Sequence, residues 1–181
     1  MASHLTWLER ILGGDRARPH AGTTGSVRRI AERLDRWPAE RAHHVAAFAC
    51  VLARVASADL RIDADEIRAM ESHLTDVAGL NAEEAHAAVE LAVAQADTRG
   101  ATDHYLATRE FRDRSTREER ARLVDCAFAV AAADGSITPD ESSVALAVAE
   151  ELGFSRPEAV GIRFRWREHL AELAKRSDES D

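Results

Sequence analysis

Ala133-Asp134-Gly135-Ser136-Ile137-Thr138-Pro139-Asp140-Glu141 follows an alanine-rich apolar run and reads as a helix end, an acidic turn and a new helix start. Gly135 suits the left-handed backbone that closes a helix. Thr138 with Glu141 three residues later has capping-box spacing, so a helix begins there. At a shift of 75 residues, Ala58-Asp59-Leu60-Arg61-Ile62-Asp63-Ala64-Asp65-Glu66 repeats the pattern A-D-x-x-I-x-x-D-E. Beyond a one-residue gap, Gly79-Leu80-Asn81-Ala82-Glu83-Glu84-Ala85 aligns with Gly153-Phe154-Ser155-Arg156-Pro157-Glu158-Ala159. The unit is a long helix, an acidic loop, a helix, a glycine turn and a helix, repeated at about 40–97 and 116–173. Two copies predict an approximate two-fold arrangement, because solenoids generally need three or more repeats to bury their faces.

Working outward, helix starts are marked by Asp63, Asn81, Ser115, Thr138 and Ser155, each followed three residues later by Glu. Ser26 is expected to cap a helix through about Leu34. Trp37-Pro38 then interrupts, and Pro38 opens a long helix ending near Ala58, with Val45, Phe48, Ala49, Leu52 and Val55 on one face. The expectation is an all-α bundle of about seven to nine helices. Residues 1–37 form an N-terminal arm with short helices, 38–174 the helical domain and 175–181 a disordered tail.

Composition agrees. The 181 residues are 45% apolar and only 5% aromatic, which suits helices packed through alanine better than sheets. The net charge of −8, with no basic stripe interleaved with aromatics, argues against a nucleic-acid partner. Residues 1–44 hold eight Arg against five acids, so any acidic site lies later. Cys50 and Cys126 each sit in an apolar run and read as core thiols of a reducing compartment. Glu9 and Arg10 interrupt the first apolar residues, and no segment is long enough to span a bilayer, so a cytoplasmic chain without direct membrane insertion is expected.

The acidic loops are the candidate site. Asp59 and Asp134 follow helices that run into their loops, where the negative end of the helix dipole gives a carboxylate no reward. Seven residues on, Glu66 and Glu141 begin the next helix, and the turn can bring Asp and Glu back together. Asp63, Asp65 and Asp140 lie beside them. Clustered carboxylates repel unless a cation neutralises them, and oxygen ligands without matched Cys or His favour Ca2+, Mg2+ or Mn2+. The metal candidates are therefore Asp59, Glu66, Asp134 and Glu141. Asp134 through Glu141 also fits positions 5 to 12 of an EF-hand loop, but positions 1 and 3 would be Val130 and Ala132, or Val55 and Ser57 in the other copy. The competing reading is structural: Glu66 and Glu141 cap helices, and Asp59 and Asp134 accept loop amides.

With these residues in view, the chain resembles the TerB family of tellurite resistance proteins and the related TerB-like domain of DjlA-type co-chaperones. The resemblance covers roughly residues 40–170 and rests on Ala58-Asp59, Ile62 to Glu66, Ala133-Asp134-Gly135, Ile137 to Glu141 and the Gly-Leu and Gly-Phe turns. It implies a helical fold with internal pseudo-symmetry, an acidic metal-associated surface, and a stress-response role through protein partners, including membrane-associated complexes, rather than catalysis. The family's acidic positions carry over to Asp59, Glu66, Asp134 and Glu141. Leu60 departs from the pattern by replacing the glycine in the first copy.

Two Glu-x-x-His spacings, Glu40 to His43 and Glu83 to His86, also occur in carboxylate-bridged di-iron bundles. Both lie at helix starts, where the dipole alone favours glutamate. No phosphate loop, nucleophile elbow or Cys/His pairing is visible, so the expectation is a non-enzyme. A purely structural interaction domain and, more weakly, a di-iron or hydrolytic enzyme are the alternatives. Phe164 and Trp166 are candidate anchors for a protein contact.

Overall fold

Nine consecutive residues, Val45 to Ala53, are all buried, so their helix is apolar all round and takes the centre of the molecule rather than one side. The computed structural model describes residues 23–56, 64–96 and 101–171. Among these run eight α-helices: α1 (Thr23–Leu34), α2 (Ala39–Ala56), α3 (Ala64–Asp76), α4 (Ala82–Ala96), α5 (Ala101–Arg114), α6 (Arg117–Ala131), α7 (Pro139–Glu151) and α8 (Arg156–Phe164). A single 3-10 turn, Arg167–His169, follows. The described residues contain no strand, and the all-α expectation holds.

α2 packs against α4, α5, α6 and α7, while α1 lies on α4, α3 on α4 and α6, and α8 on α7. Ala46, Ala47, Ala49 and Ala53 keep α2 narrow enough for this many neighbours. Phe48 of α2 and Phe128 of α6 are the largest fully buried side chains. Each contributes about 1.5–3 kcal/mol by leaving water. α1 adds Ile30, Ala31 and Leu34 to the same core. Both cysteines are buried and outside any disulfide, and burial pushes the Cys126 thiol up to about 12, as suits a core residue.

The helix boundaries recur along the chain. α2 and α6 end 75 residues apart, α3 and α7 span equivalent ranges at the same shift, and α4 and α8 begin 74 apart. Packing does not recur: α2 lies extensively on α4, whereas α6 barely meets α8. What recurs is the spacing of helix boundaries, not the packing.

Asn81, Thr138 and Ser155 sit at helix starts with Glu84, Glu141 and Glu158 closing on them, as their spacing predicts. Ser115 does not. The cap of α6 is Thr116, whose hydroxyl accepts the Glu119 N–H while the Glu119 carboxylate accepts the Thr116 N–H. Both registers fit the sequence, and only the extended backbone of Thr116 settles which is used. α1 starts at Thr23, ahead of Ser26. Asp63 and residues 175–181 lie outside the described residues.

Candidate functional site

The second acidic corner is built by a helix that must stop and another that must start. Gly135 sits at φ +95°, which a side chain would strain, and its N–H returns to the Ala132 carbonyl at 2.9 Å. Asp134, exposed on this turn, accepts the Ser136 N–H at 2.9 Å. Thr138 caps α7. The buried Glu141 accepts the Thr138 N–H at 2.8 Å and its hydroxyl at 2.9 Å. Asp140, in the first turn of α7, is exposed.

Between the two acids, Ile137 is only 1% exposed. Its N–H donates to the His169 carbonyl at 2.6 Å, and its own carbonyl accepts the Ala171 N–H at 3.1 Å. Those bonds form a parallel bridge to Leu170, itself buried. The acidic corner is thereby latched to the segment that follows α8.

Other side chains hold that region. Asp125 of α6 accepts Arg165 Nη2 on both oxygens, at 2.6 and 2.7 Å, and the Trp166 side chain as well. Burial pushes the Asp125 carboxyl above its ordinary value, with Arg165 opposing the shift. Arg163 donates to the hydroxyl of the buried Ser142 at 2.7 Å.

Of the four predicted ligands, Asp134 and Glu141 stand at the two ends of this turn, each holding protein donors. Glu66 lies in the first turn of α3, with its side chain outside the described residues, as is all of Asp59. The described residues contain no group of three or more His, Cys, Asp or Glu placed to hold an ion.

The histidine motifs do not converge either. Glu40 and Glu83 are exposed, and His86 pairs at the surface with Glu71 of α3, 2.7 Å away. Arg41 grips Glu84 through Nε at 2.7 Å and through a second bond from Nη2 to Oε2. Burial pushes Glu84 up, but the Arg41 and Asn81 hydrogen bonds outweigh it and hold the carboxyl below its ordinary value.

Sequence reading missed the Ile137 latch and the Asp125 anchor. Asp125 carried a signal, being the lone charge within the apolar run from Leu123 to Ala133. A one-residue bridge carries none.

No helix among the described residues is long and apolar enough to cross a membrane. Comparison with curated proteins and with solved structures finds no match. A family model described as tellurite resistance protein TerB matches residues 44–163, a span from the first half of α2 to near the end of α8.

Proposed function

The chain belongs to the TerB family of tellurite resistance proteins, and on that premise we propose that it is a non-catalytic, cytoplasmic binding module of a tellurite or metal-stress response, acting through a protein partner. In this reading the second acidic corner is a structural latch: its acids close the turn and cap α7, and Ile137 fixes the C-terminal segment against it. One observation carries the reading. Both backbone groups of Ile137 are engaged by residues 169 and 171, so the loop and the C-terminal segment are joined through backbone hydrogen bonds. The test is a tellurite challenge of cells with the gene deleted and restored. Restoration by the wild type, and its loss with Ile137→Asp, supports the reading; tolerance that does not change on deletion contradicts it.

A second reading keeps a divalent cation, Ca2+, Mg2+ or Mn2+, bound by Asp59, Glu66, Asp134 and Glu141 together. It is favoured by the Asp-to-Glu spacing of seven shared by both corners and by the exposure of Asp134 and Asp140. A bound ion would stabilise the fold by linkage and bias the partner surface. Replacing Asp59 and Asp134 by Asn separates the readings, since Asn still accepts loop amides but brings no charge. The latch reading expects melting in chelator and in millimolar ion to coincide for wild type and variant. The cation reading expects an ion-dependent rise in the wild type that the variant loses.

A further inference from the structure

Large apolar side chains exposed among the described residues are few, and two of them, Val160 at 44% and Phe164 at 62%, lie one turn apart on α8. Pro157 and Gly161 are also exposed, and the spacing 157, 160, 161, 164 draws a single stripe down the helix. Gly161 is unexplained by the chain's own packing. It is a poor helix former, its φ is not in the left-handed region, and a Cβ added there would meet nothing within 4 Å. It leaves a notch between Val160 and Phe164 of the kind that lets another backbone approach closely.

The charge around this stripe runs against that of the chain. Arg156, Arg163, Arg165 and Arg167 stand in or just after α8, against Glu158 and Glu168, while the whole protein carries −8. The Arg167 guanidinium lies over the Phe164 ring, 5.0 Å from its centroid. Arg156, Arg165 and Arg167 each already meet one carboxylate, that of Glu150, Asp125 and Glu168, and Arg163 donates to Ser142, but a guanidinium has five N–H donors and can meet another.

We propose that the α8 stripe is the docking surface for an acidic amphipathic helix of a protein partner, whose apolar face seats over Gly161 between Val160 and Phe164 and whose carboxylates meet the flanking arginines. This rests on the reading of the protein as a partner-binding module and names the partner's chemistry. A second copy would bring arginines against arginines if α8 packed on itself. An anionic bilayer would meet two apolar side chains on a molecule that is otherwise negative.

The probe is a fluorescein-labelled, 18-residue helical peptide with Leu at helical i, i+3, i+4 and i+7 positions and Glu elsewhere on its flanks, followed by anisotropy against the full chain. The acidic peptide binds, weakens as NaCl is raised, and loses about tenfold or more in affinity with Phe164→Ala. Gly161→Leu, which favours the helix and so keeps the fold, abolishes binding. The same peptide with Lys in place of Glu does not bind. The proposal is overturned if the acidic peptide fails to bind, if both variants bind as the wild type does, or if the Lys peptide binds equally. It is also overturned if sedimentation shows a dimer that Gly161→Leu dissolves, or if phosphatidylserine vesicles retain the chain through Phe164. Failure of peptide binding with tellurite tolerance still dependent on the gene removes the docking surface and leaves the module reading in place. Binding without such dependence does the reverse.

Discussion

Arg54, near the end of α2, closes two hydrogen bonds of 2.6 and 3.0 Å on the carboxylate of Glu151, the last residue of α7. Thr108 of α5 donates to the same carboxylate at 2.7 Å, so three helices meet on one acid. Removing the acid takes two hydrogen bonds from a largely buried guanidinium. Glu151→Ala is expected to lower stability by about 1.5–3 kcal/mol, the range for hydrogen bonds to charged groups. Arg54→Met with Glu151→Leu should recover part of that loss, because neither charge then has to be desolvated. Urea unfolding of the three proteins checks this. A double variant no more stable than Glu151→Ala would contradict it.

The cap of α6 gives a test at adjacent residues. Thr116→Ala removes the side-chain acceptor of the Glu119 N–H and should cost about 1 kcal/mol. Ser115→Ala should be neutral or slightly stabilising, since its hydroxyl is buried without a hydrogen-bond partner among the described residues. Thermal melting distinguishes them, at about 2–4 °C per kcal/mol for a chain this long.

His44 stacks on Phe48 and meets the edge of Phe111, each ring 5.0 Å away. Burial holds the imidazole below its ordinary value. Glu119 and Glu84 oppose that shift, and Arg41 and Arg122 reinforce it. The folded pKa is below the unfolded one, so the unfolded chain binds more protons between the two and stability falls as pH drops through 6.5 toward the folded value. Unfolding midpoints at pH 5.5 and 7.5 should show lower stability at the acidic end, and His44→Gln should reduce the difference. An undiminished difference in the variant would place the effect on another group.

The fold was legible because alanine-rich apolar runs, glycine turns and Glu-closed caps agree with one another along the whole chain. Helix ends were legible to a residue where one register was possible, as at Thr138, and not where two were, as at Ser115 and Thr116. The candidate site was legible as chemistry but not as geometry. Spacing shows that Asp134 and Glu141 flank one turn, yet whether they face an ion or their own amides depends on turn dihedrals that no residue type dictates. Ile137 is an apolar residue of the kind that belongs in a core, and it is buried. Its pairing with residues 169 and 171 joins segments about 30 apart through backbone atoms, which leave no mark on side-chain pattern.

That pairing is the centre of the account, and amide hydrogen exchange reads it directly. The Ile137 and Ala171 amides should be protected to similar degrees, and both should lose protection together in Ile137→Ala, which also costs about 2–5 kcal/mol of core packing. An Ala171 amide exchanging at the solvent rate in the wild type, while Ile137 stays protected, would contradict the latch.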